Sequence, residues 1–403
     1  MRKLSPLLFL LFIVPARAAQ FDFAGYADLR LIAPDTSDRS ATDGGLGKLR
    51  YGKGDGTLQF AGATGQGTVL LTPELLVSAV ARVDTSVRPQ ADLLEAYVRY
   101  RPVSTTHFRW SARAGAFFAP FSLENTEIGW APYWTLTPSA INTWFGDELR
   151  TIGAEGTLEW RFDDGTLKFV AAGFGLNEPA GVMMADRGWT ISDRPTGLFE
   201  ELRIPDATLI LFHKTPPDGS PIFAQYDGNV GWYAGAAWKA ADGWRVEAYR
   251  YDNEANPSAH KDDYFAWRTK FWDFGASKQM DTVTLLAQAV TGKTTIAPSA
   301  AFQSTTDFDS AYLLFGWEKE EWRLAARLEE FHTRTTTSFG GSPATSEAGG
   351  ALTLSASMLP NDWLKLTAEA IFLNSRRGER TIQSSDPRQG QTQLQLSARF
   401  YLN

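Results

Sequence analysis

Charged side chains that could order ions or small solutes occur in two settings in this sequence. In extended stretches they alternate with apolar residues, and between Phe118 and Leu149 they are mixed with large aromatics. Groups of opposite sign that face each other across a narrow aqueous passage sort solutes by charge and size. The candidate residues for such a pore lining or constriction are Arg99, Arg109, Arg113, Glu124, Glu127, Asp147, Glu148, Arg150, Arg268, Lys270, Arg323 and Arg327.

The sequence gives little evidence for a catalytic site or a metal site. The four histidines are His107, His213, His260 and His332. They show no metal-ligand spacing, and the absence of cysteine removes thiolate ligands and nucleophiles. Adjacent acids such as Asp262-Asp263 would point to opposite faces of a strand, so they cannot form a catalytic dyad. We therefore expect no catalytic residue, no metal and no cofactor. A barrel hydrolase with a histidine at a strand–loop edge, His260 or His332, stays as the alternative.

The elements that carry the charged residues are predicted to be strands with one apolar and one polar face. The clearest runs from Gln393 to Leu402. Successive side chains of a strand point to opposite sides, so one face of this stretch is apolar and the other is polar. An Arg or Lys that faces lipid at the bilayer midplane costs about 2–4 kcal/mol, which fixes the register. The face that should touch lipid consists of Leu394, Leu396, Ala398, Phe400 and Leu402.

The same rule assigns more charged residues to a water-filled lumen. Inward-pointing bases outnumber inward-pointing acids, which favours a mild preference for anions over the alternative of no preference. Besides the candidates above, the predicted inward set is Arg30, Arg101, Arg245, Lys365, Arg399, Asp22, Asp28, Glu95, Glu155, Glu159, Glu247, Glu329 and Glu369.

A cleavable export signal is predicted at residues 1–18. Arg2 and Lys3 precede an apolar run from Leu7 to Val14, and Ala16-Arg17-Ala18 supplies small residues around a cut. The run is shorter than the about 20 residues that a membrane-spanning helix needs. Cleavage removes three of the 39 basic residues and leaves 36 against 46 acidic ones. This acidic balance argues against a nucleic-acid partner, which would select a basic face.

Sixteen strands are predicted in residues 19–403, which we expect to form one domain. The fold prediction is an all-β, transmembrane, antiparallel up-and-down β-barrel of about 16 strands, within a range of 14–18. An even number places both ends in the periplasm. The glycine-rich stretch from Gly44 to Gly67 blurs the second and third strands, and a hairpin hidden between Gly197 and Tyr226 would make eighteen. The strands should begin near residues 20, 56, 75, 92, 107, 150, 165, 229, 243, 262, 281, 307, 322, 347, 363 and 390.

Short turns beside tryptophans alternate with long polar connections, the layout of bacterial barrels with periplasmic turns and extracellular loops. Tryptophans next to short turns are typical of the interface belts of such barrels. The predicted long loops are Phe118 to Leu149, Leu176 to about Gly228, Asn253 to Lys261, Gly292 to Thr306, Thr333 to Ser346 and Asn374 to Gly390.

One stretch resembles a known family. Ala96-Tyr97-Val98 is followed by Arg113, Gly115, Phe117 and Pro120 in an R-x-G-x-F-x-x-P pattern that runs into a long loop. Over residues 90–160 this resembles the phosphate-selective porin O/P-like family of Gram-negative outer-membrane porins. The resemblance implies a sixteen-stranded barrel, often trimeric, that passes small hydrophilic or anionic solutes by diffusion.

The sequence differs from the family pattern in two ways, which limit what can be inferred from the resemblance. The sequence has no run of arginines and lysines comparable to the ladder that gives phosphate selectivity, so phosphate is not predicted. The chain also ends Phe400-Tyr401-Leu402-Asn403 rather than on a terminal phenylalanine. The prediction is therefore a porin in outer-membrane lipid that allows passive diffusion of small hydrophilic solutes or ions.

The connection from residue 118 to 149 is predicted to fold into the barrel as a constriction. It holds too many large aromatics for a freely solvated loop; these are Trp130, Tyr133, Trp134, Trp144 and Phe145. The alternative is an outward loop that packs at a subunit interface. For the whole chain, the alternatives besides an enzyme are a non-conducting surface or adhesion barrel and a soluble periplasmic β-protein.

Overall fold

The computed structural model describes residues 19–211, 219–338, 340–341 and 346–402. The signal peptide predicted at residues 1–18 and the histidine His213 lie outside the described residues. Within the described ranges, no helix has the length and apolar character needed to cross a membrane.

Sixteen strands form one antiparallel sheet that closes on itself. Strand β1 (Gln20–Asp35) pairs with the last strand, β16 (Arg388–Leu402), and every other strand pairs with its neighbours in the chain. Closure leaves no barrel edge exposed to lipid, where unpaired backbone groups are too costly to persist. The strands between are β2 (Leu58–Leu70), β3 (Leu75–Val83), β4 (Ala91–Tyr100), β5 (Phe108–Phe117), β6 (Thr151–Phe162), β7 (Gly165–Gly175), β8 (Gly231–Ala240), β9 (Trp244–Asp252), β10 (Arg268–Met280), β11 (Val283–Ser299), β12 (Phe302–Lys319), β13 (Trp322–Thr337), β14 (Glu347–Asn361) and β15 (Leu364–Arg377).

Smaller elements lie in the loops. The helices are α1 (Ala140–Glu148), α2 (Val182–Asp186) and α3 (Asp206–Leu211), and 3-10 turns cover Ala41–Asp43 and Gly378–Gln383. Glu201–Arg203 pairs with Gly219–Pro221 in a hairpin that is separate from the barrel sheet. A second separate hairpin joins His260–Lys261 to Tyr264–Phe265, and Gly340–Gly341 pairs with the end of β13. The barrel therefore has the sixteen strands predicted, and the hairpin that would have made eighteen is not part of it.

Fourteen of the predicted strand starts lie within two residues of the observed ones. The two larger differences are β10, expected near 262, and β12, expected near 307. At β10 the small hairpin occupies the residues before Arg268. The long loop predicted from Gly292 to Thr306 is wrong, because β11 and β12 continue to a tight turn between Ser299 and Phe302. Polar β-branched residues such as Thr294 and Thr306 suit an extended hairpin as well as they suit a loop.

The two faces of the strands have the predicted character. On β16, Leu394 and Leu396 are about half exposed on the outside of the barrel, at 49% and 56%. The alternate residues Gln393, Gln395 and Arg399 are buried inside. Apolar side chains exposed in this way around a closed barrel form the surface that contacts lipid.

Replacement of Leu354 by Arg should destabilise the barrel by about 2–4 kcal/mol, because Leu354 lies in the middle of the outer apolar face of β14 and the guanidinium would enter hydrocarbon. Urea unfolding of the protein refolded into lipid vesicles measures this loss. Asn374→Arg is the matched control, since Asn374 is exposed on the outer face of β15 near its loop end. There the cost should be below about 1 kcal/mol. Equal losses at the two positions would contradict the placement of lipid.

Candidate functional site

The segment of residues 118–149, here the first crossing segment, passes from one wall of the barrel to the opposite wall. At its start the backbone N–H of Phe118 donates to Glu95 on β4, at 3.0 Å. Farther along, Glu124 forms an ion pair with Arg327 on β13, at 3.2 Å. Strands β4 and β13 are seven strands apart in one direction around the barrel and nine in the other. A segment that contacts both lies inside the lumen.

Charged wall residues hold the tip of this segment through its backbone. Glu369 on β15 accepts from the N–H of Leu136 at 2.6 Å and from the Thr137 hydroxyl at 2.7 Å. Arg327 donates to the carbonyls of Thr137 and Pro138 at 2.9 and 3.0 Å. These are charge-assisted hydrogen bonds in a buried setting, where they are stronger than neutral ones. Arg327 is 0% exposed, so it positions the segment and is not available to a solute.

An aromatic core fixes the other end of the first crossing segment. Helix α1 places Trp144 and Phe145 against Phe271 of β10, with ring centres 5.2 and 5.4 Å apart. Phe121 packs against Tyr233 of β8 at 5.1 Å. These rings are buried inside the barrel. Apolar packing therefore fills the lumen beside β8–β12, and any aqueous route is displaced towards the opposite wall.

Residues 187–200, here the second crossing segment, also span the lumen. Trp189 Nε1 donates to the carbonyl of His332 on β13 at 2.9 Å, and the N–H of Leu198 donates to Leu93 on β4 at 2.8 Å. Between these ends the segment lies on the first one, with the N–H of Thr196 bonded to the carbonyl of Gly146 at 3.1 Å. The sequence placed this stretch in an outer loop, because nothing in its pattern distinguishes an inward fold from an outward one.

A small cavity, here called the narrow passage, lies between the first crossing segment and the wall of β1–β3 and β16. Its volume of about 30 Å³ holds only about two water molecules. The first crossing segment contributes uncharged residues, Gly129, Ala131, Pro132 and Leu136. The rest of the lining includes five arginines and three aspartates: Arg30, Arg50, Arg82, Arg194, Arg399, Asp28, Asp84 and Asp193.

A wider cavity of about 540 Å³ adjoins the loop side of this passage. Its lining includes residues 85–88 and 90 of the β3–β4 loop, together with parts of the second crossing segment. Arg194 lines both cavities. Arg88, Arg187 and Arg203 also line the wider cavity, beside Glu200 and Glu201. These arginines are dispersed in sequence, which is why no ladder of bases was visible there.

The acids of the passage are paired with these arginines. Asp193 forms ion pairs with Arg30 at 2.7 Å and with Arg50 at 2.9 Å. Burial alone would raise the pKa of Asp193, but the two guanidiniums outweigh burial and hold that pKa well below its usual range. Asp28 pairs with Arg30 at 2.8 Å and with Arg399 at 3.1 Å. The other arginines pair with acids outside the lining, because Glu200 bonds both Arg82 and Arg194, and Glu127 lies 3.6 Å from Arg399. The lining itself presents five guanidiniums and three carboxylates.

Most of the predicted site residues point into the barrel, in different roles. Arg99, Arg109 and Arg113 lie on the inner faces of β4 and β5, and Arg113 pairs with Glu155 at 2.8 Å. Arg323 on β13 is also turned inward and donates to the carbonyl of Tyr133 at 3.0 Å.

The charges of the first crossing segment are mainly structural. Glu127 lies 3.6 Å from Arg399 and 3.8 Å from Arg323, near the passage. Asp147 pairs with Arg187 at 2.5 Å. Glu148 accepts from the backbone N–H groups at the start of α2, and Arg150 donates to the carbonyl of Thr196 at 2.7 Å. The Asp147–Arg187 pair joins the two crossing segments, and Arg150, the residue after the first segment, bonds to the second.

Arg268 and Lys270 do not face the lumen, and their predicted orientation is wrong. They share the outer face of β10 with Trp272, while Thr269 and Phe271 are buried inside. Arg268 pairs on the outside with Asp252 at 3.2 Å. The rule that apolar residues face lipid misleads here, because Phe271 packs against the aromatic core inside the barrel. The two bases lie near the loop end of the strand, where a charge facing outward costs little.

The sequence also missed part of the narrow passage. Arg82 is on β3, one of the two strands with blurred edges, and Arg50 lies in the loop before β2. Asp193 and Arg194 lie in the second crossing segment, which has no periodic pattern. The alternation of Ser78, Val80 and Arg82 on the inner face of β3 is a signal that could have identified Arg82.

The two histidines at strand–loop edges lie away from the lumen. His332 is on the outer face of β13, with Nδ1 at 3.0 Å from the Asp309 carboxylate, and both side chains are largely exposed. His260 is exposed in the small hairpin, with Nδ1 at 3.4 Å from the carbonyl of Ser258. Neither lines the passage described above.

Comparison with known proteins identifies the fold. No family model and no curated protein match the chain. Among solved structures, OmpT in its trimer form, an outer membrane protein of Vibrio cholerae, has a TM-score of 0.53 at 10% identity, over 96% of this chain and 100% of that one. The anion-selective porin from Comamonas acidovorans gives 0.50 at 12%, over 96% and 100%. The outer membrane channel DcaP of Acinetobacter baumannii gives 0.52 at 10%, over 95% and 97%. This chain therefore has the closed β-barrel fold of outer-membrane proteins that include porins.

Proposed function

We propose that this protein is an outer-membrane porin, a channel for the passive diffusion of small hydrophilic solutes that favours anions. The observation that carries the proposal is the arginine-rich passage between the first crossing segment and the wall of β1–β3 and β16. The apolar outer face places the barrel in a bilayer, and the polar inner face supplies a route for water.

The electrostatics of the lining support the anion preference. Each aspartate of the narrow passage has at least one arginine partner, and the carboxylates that pair with the other arginines, Glu127 and Glu200, lie outside the lining. A cleft with low-dielectric walls and charges of one sign focuses its potential and concentrates counter-ions. Four arginines and two glutamates, Glu200 and Glu201, line the wider cavity, so bases outnumber acids there as well. The finer resemblance to phosphate-selective porins rests on the sequence motif alone, and phosphate is not part of the proposal.

The proposed assembly is a trimer. The family resemblance implies this state, and OmpT of Vibrio cholerae has been described in a trimer form. No catalytic role is part of the proposal. The competing function is a non-conducting barrel, which is favoured by two segments that cross the lumen and by the small size of the passage. Bilayer conductance separates the two.

Arg399→Gln should weaken the anion preference, because it removes one positive charge from the lining of the passage. A unit charge about 8 Å from a permeating ion contributes about 0.5 kcal/mol in water, favourable for an anion and unfavourable for a cation, so the anion-to-cation permeability ratio should fall by roughly a factor of six. Reversal potentials across a KCl gradient measure the ratio. Arg376→Gln is the matched control, since it makes the same change on the exposed outer face of β15. A cation-selective wild-type channel would contradict the proposal.

Deletion of Thr126–Pro138 should raise the single-channel conductance several-fold. The deletion removes Gly129, Ala131, Pro132 and Leu136, the side of the passage that faces the wall. Removal of Asp262-Asp263 from the exposed tip of the small hairpin serves as the control and should leave conductance unchanged. If the long deletion folds and conducts as the wild type does, the first crossing segment does not limit the passage.

A further inference from the structure

We propose that the second crossing segment, residues 187–200, is a gate whose own carboxylates occupy two arginine sites made for the carboxylates of a solute. This inference rests on the proposed channel function. The two internal carboxylates are Asp193 and Glu200, and carboxylate-bearing organic anions are the solute class that would replace them.

The first arginine site holds Asp193. Arg30 comes from the wall strand β1 and Arg50 from the loop before β2, so the two guanidiniums converge on one carboxylate from different elements, at 2.7 and 2.9 Å. Both arginines are buried, and all three residues line the narrow passage. A guanidinium pair at this position would bind any carboxylate that reached it, because the planar fork of Arg matches two carboxylate oxygens.

The second arginine site holds Glu200. Arg82 on β3 bonds one carboxylate oxygen at 2.8 Å, and Arg194 bonds the other. Arg82 also donates to the carbonyl of Pro195, which holds the chain between the two acids against the wall. The Nε atoms of Arg82 and Arg194 are buried and have no hydrogen-bond partner among the described residues. These donors are available to a solute that carries more oxygen atoms than the internal carboxylate can offer.

The way the two crossing segments are held indicates which one can move. The first is fixed by Trp144 and Phe145 in the aromatic core. The second is fixed by Trp189 at its start, but from Ser192 to Glu200 it is held mainly by ion pairs and hydrogen bonds. Near its end Phe199 is 73% exposed, so this aromatic side chain does not anchor the segment. Ion pairs can be exchanged for equivalent ion pairs at little net cost, whereas unpacking buried aromatics exposes apolar surface to water.

The position of the wider cavity allows a solute carboxylate to replace an internal one. The wider cavity of about 540 Å³ brings solute to Arg194, which lies between the cavity and the narrow passage. Asp193 and Glu200 are part of the chain, so their carboxylates have a high effective concentration at the arginine sites. A solute with a single carboxylate therefore competes poorly for those sites. A solute with two carboxylates could occupy both arginine sites, and it would displace the segment more readily than acetate or chloride.

The test uses single-channel recording on the full refolded chain in KCl, with succinate, acetate or extra chloride added at equal ionic strength. For the wild type, succinate should raise the mean conductance several-fold, acetate less, and chloride not at all. Asp193→Asn with Glu200→Gln keeps the side-chain shapes but removes the internal charges. This double variant should conduct several-fold better than the wild type without succinate and should not respond to it. Asp263→Asn, on the exposed hairpin, is the control and should behave as the wild type.

The outcomes separate this inference from the proposed function. If the wild type conducts and the double variant has the same conductance, with no response to succinate in either, the gate is wrong and the channel stands. If neither conducts, the gate is again wrong. A further variant, with Ser192–Gly197 replaced by a glycine–serine linker of the same length, then decides the channel: a folded but silent variant would overturn the proposed function as well. Heat-modifiable electrophoretic mobility shows that each variant has folded.

Discussion

Exclusion of charge from hydrocarbon is the constraint on which the rest of this structure depends. A closed barrel can place a charged side chain inside, or outside beyond the apolar belt, but not in the belt itself. Arg30, Arg327, Lys365 and Arg399 are therefore all buried inside. Once inside they need partners, because an unpaired buried charge is far more costly than a paired one. The segments that enter the lumen supply those partners, so the crossing segments and the charged wall determine each other's positions.

The two crossing segments are held in the lumen by different interactions. The first combines buried charge-assisted bonds at its tip with an aromatic core around α1, and that core fills one side of the lumen. The second inserts Asp193 between Arg30 of the wall and Arg50 of a loop, and it holds Glu200 between Arg82 of the wall and its own Arg194. As a result, the small cavity left beside the first segment lies against β1–β3 and β16 and is lined by five arginines and three aspartates.

Sequence reasoning reached the barrel because its signal is repeated and local. Alternation of Leu394, Leu396 and Phe400 with Gln393, Gln395 and Arg399 is visible without any long-range information, and so are most strand starts. The predicted orientation of β10 was wrong because the lumen is apolar there. Phe271 faces inward, so the inner and outer faces of this strand were exchanged, and Arg268 and Lys270 were assigned to the lumen. The arginines of the narrow passage come from β1, β3, β16 and two loops. Only the register of distant strands and the inward path of residues 187–200 bring them together, and neither is encoded in a local pattern.

We propose above all that the lumen holds an aqueous route whose narrow part attracts anions. The chain has no cysteine, so a single one can report on that route without interference. Thr64 lies on β2 and lines the narrow passage, and Leu354 lies on the outer apolar face. With Thr64→Cys in lipid vesicles, a negatively charged thiol reagent should react faster than a positively charged reagent of the same size, and Leu354→Cys should react with neither. If Thr64→Cys is unreactive to both, or prefers the positive reagent, the claim is wrong.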